Sequence, residues 1–265
     1  MTGQEKKAEA FRALHAGPPF LIPNPWDAGS ARVLEALGFE ALATTSSGFA
    51  YTLGRRDGGV TLEEMAEHAR TIDRATDLPI SVDLENGYGP EPEDAARAIA
   101  RAAEAGAVGG SIEDYDPEGF LYEFNHATER VAAAAEAARR LGFPFMFTAR
   151  AENFIRGNPD LGDTITRLGA FEDAGADVLY APGLRSGEEI RAVCEAVSKP
   201  VNVLAQSGMS MAELVDAGAT RVSVGGSLAW VAVRAMVDAA TAMREEGDLS
   251  SLGADLPLDE WLAPP

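Results

Sequence analysis

The chain of 265 residues contains one cysteine and three histidines. A single cysteine, Cys194, excludes an intrachain disulfide and fits a protein of the reducing cytoplasm. The three histidines lie far apart in the sequence, so they do not form the closely spaced ligand pairs of a zinc site. Zinc chemistry is therefore not expected.

Basic residues are also scarce, because 22 lysines and arginines face 42 aspartates and glutamates, which gives a net charge of -20. An acidic surface repels phosphate backbones and anionic lipids, so nucleic acids and membranes are poor partners. No apolar run approaches the roughly 18 residues of a membrane-spanning helix, and the N-terminus lacks the pattern of a signal peptide. We expect a soluble, unprocessed protein that acts on a small molecule.

Short β-rich runs alternate with helical segments, which is the pattern of a parallel sheet covered by helices. Eight such units within 265 residues match the usual size of one barrel. We therefore predict a (β/α)₈ TIM barrel with residues 1–265 as one domain. The predicted strands are residues 20–23, 41–45, 80–84, 109–113, 145–149, 177–181, 201–204 and 221–224.

Prolines and glycines alternate in front of the predicted strands. A proline precedes each odd strand, where a missing backbone donor is tolerated, and a glycine ends the helix before each even strand. This regularity favours a closed barrel, although a doubly wound open sheet uses similar punctuation. The prolines are Pro19, Pro79, Pro144 and Pro200, and the glycines are Gly38, Gly106, Gly175 and Gly218. Thr61 with Glu64 and Ser210 with Glu213 resemble capping boxes at helix starts.

Carboxylates and one arginine follow the predicted strands, at the end of a barrel where catalytic groups lie. Asp83 and Glu85 point to the same side because strand side chains alternate, Glu113 ends the fourth strand, and Asp57 follows the second. Such acids repel one another unless a cation intervenes, and oxygen ligands favour Mg²⁺, with Mn²⁺ as a substitute. Arg150 after the fifth strand suits a carboxylate or an enolate oxygen. The alternative is that each acid caps a helix or pairs with an arginine.

Two small-residue segments are candidates for binding anions. Ser46, Ser47 and Gly48 follow the second strand and offer hydroxyl and backbone N–H donors to an oxyanion, although a plain loop has the same composition. Residues 225–227, Gly-Gly-Ser, open the last long helix. They either cradle a phosphate or allow close helix packing.

Five ordered segments resemble the isocitrate lyase and phosphoenolpyruvate mutase superfamily, from Pro23 to about Ala240. They read PNPWDAGSARVLEALGFEAL, SSGFAYTLGRRDG, SVDLENGYG, GGSIED and TARAENF. The resemblance implies a barrel of the phosphoenolpyruvate/pyruvate-domain type with a C-terminal helical segment. It also implies a homo-oligomer, a dimer or a helix-swapped tetramer, in which residues 226–265 form the last helix and a tail swapped with, or docked on, a neighbouring subunit.

The resemblance also implies roles for the residues at the strand ends. Asp83 matches the direct Mg²⁺ ligand, Glu85 and Glu113 match acids around metal-bound waters, and Asp57 matches a further acid nearby. Arg150 matches the family's substrate arginine, and Arg150 and Asp57 are the expected catalytic residues.

The family's serine–glycine pair after the second strand binds the 2-oxo acid. By the same resemblance, Ser47, Gly48 and Phe49 contact the substrate, together with the adjacent Ser46. Asp83 and Arg150 are also expected to bind the substrate.

The chain departs from the family at three places. Glu85 replaces an aspartate and keeps its charge. The loop DYDPEGFLYEFNHAT lacks the K-[KR]-C-G-H segment whose cysteine serves the isocitrate lyases as acid or base, and Cys194 lies in a distant helix. Pro182 stands where the phosphonopyruvate enzymes have a histidine.

We therefore expect a Mg²⁺-dependent lyase that cleaves a carbon–carbon bond of a small 2-oxo or 2-hydroxy acid through a metal-stabilised enolate, by decarboxylation or retro-aldol cleavage. Phosphonopyruvate hydrolase or phosphoenolpyruvate mutase chemistry is the alternative, and a non-catalytic oxo-acid binding protein is another. The proton donor stays open among Tyr51, Tyr88, Tyr115 and His126, and residues 116–125 are expected to cover the mouth as a lid.

Overall fold

The computed structural model describes residues 2–253 and 255–262, so residue 254 and residues 263–265 of the predicted tail lie outside it. Eight parallel strands pair in the order β1-β10-β9-β8-β7-β4-β3-β2. They are β1 (Phe20–Ile22), β2 (Leu42–Ala43), β3 (Ile80–Asp83), β4 (Gly109–Glu113), β7 (Met146–Arg150), β8 (Val178–Tyr180), β9 (Val201–Leu204) and β10 (Arg221–Ser223).

One hydrogen bond joins the two edges of this sheet. The N–H of Ala43 donates to the carbonyl of Pro23 at 3.0 Å, which links β2 to the end of β1. Strand order follows chain order around the ring without the reversal of a doubly wound sheet. The predicted (β/α)₈ TIM barrel is therefore confirmed in its nearly closed form.

Helices cover the barrel and follow nearly every strand. They are α1 (Gly3–His15), α2 (Ala28–Ala36), α3 (Ser46–Thr52), α4 (Leu62–Ala75), α5 (Pro92–Glu104), α6 (Phe124–Arg139), α7 (Leu161–Asp173), α8 (Gly187–Ala196), α9 (Met211–Asp216), α10 (Ser227–Glu246) and α11 (Leu258–Trp261). None of these helices combines the length and the apolar composition that a membrane crossing requires.

The local signals for helix ends are confirmed. Thr61 with Glu64 and Ser210 with Glu213 form reciprocal capping boxes at the starts of α4 and α9. The four glycines predicted to end helices have φ values between 88° and 106°, a left-handed region that side chains disfavour.

The chain after β4 folds differently from the predicted plain loop. Residues Tyr115–Asp116 (β5) and Phe120–Leu121 (β6) pair as a small antiparallel hairpin, with Gly119 at φ 107° in its turn. Strands of two residues are too short to show alternation in a sequence, so periodicity did not reveal them.

Helix α1 closes the end of the barrel opposite the C-terminal ends of the strands. Phe11 is fully buried there against Phe20 and Ile22 of β1. The aromatic edge of Phe11 leaves no room for a side chain at position 109, where an added Cβ would lie 2.7 Å from its ring. The barrel interior is therefore closed at the N-terminal ends of the strands and open at their C-terminal ends.

Helix α10 contrasts with the other helices because most of its side chains are exposed. Among its described residues only Ala229 is buried, whereas Trp230, Val231 and Met236 are 45%, 66% and 56% exposed. The following segment returns so that α11 lies against α2 of the same chain. Much of the apolar surface of α10 beyond Trp230 is thus exposed in the described structure.

Candidate active site

Three neighbouring strands bring two acids and an arginine to the open end of the barrel. Asp83 ends β3, Glu113 ends β4 and Arg150 ends β7. The Arg150 guanidinium lies 2.8 Å from Asp83 Oδ1 and 3.1 Å from Glu113 Oε2. Its Nε also donates to Glu152 Oε1 at 2.9 Å. Arg150 therefore contacts the acids directly instead of facing them across an open space.

A second arginine, absent from the sequence-based candidates, completes this ion-pair network. Arg156 donates from Nη2 to both carboxylate oxygens of Glu113 at 3.2 Å and from Nε to Glu152 at 3.1 Å. Its guanidinium carbon lies 4.1 Å from the centroid of the Tyr115 ring. Burial raises the pKa of Glu113, as does the charge of Glu152, and the two arginines oppose that rise.

Unpartnered oxygen atoms lie beside Asp83. The Oε1 atom of Glu85 and the hydroxyl of Tyr88 are buried without a hydrogen-bond partner, on a turn where both residues have positive φ, 47° and 62°. Burial raises the pKa of Glu85 to about 8, and the charges of Asp83 and Asp57 add to the rise. Leaving such groups buried and unpaired is costly, so their environment calls for a cation or a proton.

These oxygens fit a hard divalent cation that is held largely through water. In the part of the chain that the structure describes, no three acidic, histidine or cysteine side chains meet as a ready-made metal site. A site with Asp83 as the direct ligand, and with Glu85 and Glu113 reached through water, agrees with Mg²⁺, which usually retains several waters. Of the three predicted ligands, Asp83 lines the central cavity, whereas Glu85 and Glu113 are not among its lining residues, so the three do not form a direct ligand set.

Asp57 reaches the cavity from the loop after α3. Burial raises the pKa of Asp57, a hydrogen bond from the Ser46 hydroxyl lowers it, and the charge of Asp83 raises it further. The N–H of Ser46 donates to Asp83 Oδ2 at 3.2 Å. Ser46 therefore connects the acids of two loops.

Of the six residues predicted to bind substrate, Asp83 and Arg150 line the cavity, and the four that follow the second strand separate into two pairs. Ser46 and Ser47 line the cavity, whereas Gly48 and Phe49 are not among its lining residues. Phe49 stacks on His68 at 3.9 Å between ring centroids. A Cβ at Gly48 would lie 2.6 Å from the Thr45 side chain, so packing alone requires glycine there.

The cavity has a volume of about 160 Å³ and continues from the mouth into the barrel. Its size is similar to an engineered cavity of about 150 Å³ that holds benzene, so a molecule of a few carbon atoms fits. Its lining includes polar residues that the sequence analysis missed: Asn24, Thr44, Tyr180, Asn202, Arg221 and Ser223. The sequence signal that could have indicated these residues is the occurrence of polar side chains within otherwise apolar strands.

Comparison with known proteins now identifies the family. A family model described as phosphoenolpyruvate phosphomutase matches residues 11–244. The chain belongs to the isocitrate lyase and phosphoenolpyruvate mutase superfamily. A solved structure from Burkholderia cenocepacia J2315, provisionally described as a lyase or mutase, is 50% identical with a TM-score of 0.96, and the match covers 99% of each chain.

Two curated relatives from this superfamily carry more specific names. A 2-methylisocitrate lyase of Halalkalibacterium halodurans is 29% identical over 91% of this chain and 78% of its own. An oxaloacetate decarboxylase of Paraburkholderia xenovorans is 34% identical over 66% of this chain and 60% of its own. The predicted superfamily membership and the prediction of an enzyme are confirmed, and the specific reaction is left open.

Within this superfamily, the chain's departures lie at the expected places. Pro182 lines the cavity, whereas Cys194 lies against Gly218, and burial raises the pKa of its thiol to about 11.

Gly226 packs against Ser47 and Trp230, where a Cβ would lie 2.7 Å from each side chain. Close packing thus accounts for this glycine without a phosphate.

None of the four proton-donor candidates lines the cavity. Tyr51 contacts Trp230, Tyr115 lies under Arg156, and His126 Nε2 is 2.8 Å from the carbonyl of Pro90. Tyr88 lies in the turn after β3, among the carboxylates. The lining of the cavity therefore offers none of these four side chains as a proton donor.

Proposed function

We propose that the protein is a Mg²⁺-dependent lyase that cleaves a carbon–carbon bond of a small 2-oxo or 2-hydroxy dicarboxylic acid, by decarboxylation or retro-aldol cleavage through an enolate. The observation that carries the proposal is the contact of Arg150 with Asp83 and Glu113 at the mouth of a small polar cavity. The lyase and decarboxylase relatives support the same reaction class.

Asp83 would hold Mg²⁺ directly, with Glu85 and Glu113 holding its waters, and Mn²⁺ would substitute. When bound, the ion supplies positive charge for the substrate oxygen on which negative charge develops.

Arg150 has a second role, since a guanidinium can bind a carboxylate or an enolate oxygen with two N–H groups. The Ser47 hydroxyl, which lies 3.2 Å from Thr45 Oγ1, offers a further donor at the mouth. Asp57 is placed to accept or return a proton beside Ser46. These groups stabilise charge that is greater in the transition state than in the substrate, which is how they accelerate cleavage.

The test is a panel of acids incubated with pure protein and Mg²⁺, with products followed by NMR. We expect cleavage of oxaloacetate or of a 2-alkylmalate, and loss of that cleavage with EDTA and its recovery with added Mg²⁺. Saturable binding of oxo acids without any product would instead favour a non-catalytic binding protein. Cleavage that is indifferent to EDTA would contradict the role of the metal.

Phosphorus–carbon chemistry is the second candidate because the matching family model is described as a phosphomutase. Pro182, which cannot donate or accept a proton, stands at the cavity where the related phosphonopyruvate enzymes would use histidine. Release of phosphate from phosphonopyruvate in the same panel would establish this second chemistry.

We also place the protein in the cytoplasm, in agreement with its single cysteine.

A further inference from the structure

Besides the carboxyl groups of Asp57 and Asp83, the side chains that line the cavity include one further residue type suited to give a proton to carbon. Among the described lining residues, Tyr180 is the one tyrosine, and histidine and cysteine are absent. Tyr180 ends β8 and pairs in register with Arg150 on β7. Its side chain is 9% exposed, and the Arg150 guanidinium carbon lies 5.3 Å from its ring centroid. The ring is therefore fixed beside the residue that is expected to hold the substrate.

A chain of hydrogen bonds beneath Tyr180 has a fixed direction. Arg221 has only donors, and its Nε donates to Asn202 Oδ1 at 2.8 Å. The amide nitrogen of Asn202 must then face Ser223, and it donates to Ser223 Oγ at 2.9 Å. The Ser223 hydroxyl lowers the pKa of Tyr180, which is the effect of an O–H that donates to the phenol oxygen.

The consequence concerns the proton of Tyr180 itself. If the Ser223 O–H donates to the phenol oxygen, the phenol proton is not needed for this series of hydrogen bonds and can point into the cavity. Burial raises the pKa of Tyr180 to about 12, so the phenol keeps this proton at neutral pH. After transfer, the Ser223 O–H and the nearby Arg150 charge would stabilise the phenolate.

We propose that Tyr180 is the general acid that protonates the carbon left by cleavage, with Ser223, Asn202 and Arg221 as positioning residues. This inference rests on the proposed lyase function and deepens it. It supplies the group that the related lyases obtain from a cysteine absent here.

The step balances without a further reactant. In an oxaloacetate-type substrate, the C3–C4 bond breaks, its electron pair forms the C2–C3 double bond of the enolate, and carbon dioxide leaves. The electron pair of that double bond then forms a C3–H bond with the Tyr180 proton, while the C2 oxygen returns to a carbonyl. The phenolate finally takes a proton from water that enters the cavity.

The test compares Tyr180→Phe with Tyr122→Phe, a matched loss of another buried phenol whose partner is Asn86. The first measurement is the exchange of C3 protons for deuterium in D₂O, on pyruvate and on the products of any other acid that the panel identifies. This exchange needs proton transfer at carbon but no cleavage. We expect it to fall at least 100-fold in Tyr180→Phe, within the usual range for a lost general acid, and less than threefold in Tyr122→Phe.

The second measurement separates catalysis from folding. Calorimetric binding of oxalate, a planar mimic of the enolate, and the thermal midpoint should be alike in wild type and Tyr180→Phe, with oxalate Kd values within threefold. If the exchange rate of Tyr180→Phe is within threefold of the rate of an active wild type, Tyr180 is not the general acid. The proposed lyase function would then still stand. A wild type that neither exchanges protons nor cleaves any acid would overturn both.

The positioning chain has its own readout. Ser223→Ala should lower exchange about tenfold with unchanged oxalate affinity, and Ser223→Thr, which retains the hydroxyl, should restore it. Exchange in Ser223→Ala equal to wild type would remove the positioning role of this chain.

Discussion

Arg150 shows how one side chain can serve both the resting site and the reaction. It contacts three carboxylates, and its side chain is 12% exposed, so its charge is shared among buried partners. A substrate that binds its guanidinium must compete with these acids, and a cation bound at Asp83 would weaken one of those ion pairs. Substrate and metal are therefore expected to assist each other's binding.

Arg150→Lys tests this residue because lysine keeps the charge and loses the planar fork. We expect turnover to fall by about 100-fold to 1000-fold, the usual loss for one donor to a developing oxyanion. Mg²⁺ affinity, measured by calorimetry, should change little. Arg140→Lys, an exposed arginine paired with Glu136, is the control. Equal turnover of Arg150→Lys and wild type would exclude the assigned role.

Charged residues at strand ends were predictable from the sequence, whereas residues brought to the site by a loop, and an aromatic residue at a strand end, were not. Asp83, Glu113 and Arg150 follow apolar runs directly, so the geometry of a barrel places them together. Arg156 lies six positions beyond its strand, and only the path of that loop brings it to Glu113. Tyr180 was missed because an aromatic residue in a strand usually packs in a core.

At the scale of elements, helix α1 stabilises the barrel through a buried polar contact at its floor. His15 Nδ1 lies 2.8 Å from the carbonyl of Phe11, and Arg221 Nη1 lies 3.2 Å from His15 Nε2. Burial and then the charge of Arg221 lower the pKa of His15 to about 3. Between about pH 3 and pH 6.5, the folded protein therefore keeps His15 neutral, whereas His15 of the unfolded chain is protonated.

This contact predicts a pH dependence of stability. As pH falls below the unfolded value of about 6.5, the unfolded chain binds a proton that the folded protein refuses until about pH 3. The free energy of unfolding should therefore fall, by on the order of 2 kcal/mol at pH 5. Denaturant titrations at pH 7 and pH 5 should show the stability gap between wild type and His15→Gln narrowing at pH 5. His126→Gln is the control, and a gap that widens would contradict the mechanism.

The repeated βα units were predictable because each has its own start and stop signals, such as the glycines after the helices. The lengths of the strands were less predictable. Strand β2 contains two paired residues, although residues 41–45 read as a strand, because the barrel is only nearly closed between β1 and β2. The hairpin β5–β6, which begins one residue before the expected lid of residues 116–125, depends on contacts made in the folded state.

At the scale of the whole molecule, α10 presents large apolar side chains to solvent. Val231, Met236 and Val237 are each at least 44% exposed, and a monomer seldom exposes many such side chains together. We propose that residues 226–265 dock on a neighbouring subunit and form a dimer or tetramer. Covering this helix would remove its apolar surface from water, at about 25 cal/mol for each Å².

Light scattering during size-exclusion chromatography measures this assembly. We expect a dimer or tetramer for wild type at micromolar concentration and a shift towards monomer for Val231→Asp, because a carboxylate would be buried without a partner in the interface. Glu246→Gln also changes the charge by one unit, in the opposite direction, at the exposed end of α10 and should leave the assembly intact. Since Gly226 and Trp230 at the start of α10 pack on Ser47 and Tyr51, the monomeric variant should also bind oxalate more weakly. A monomeric wild type would refute the docking and would leave the exposed face of α10 without an explanation.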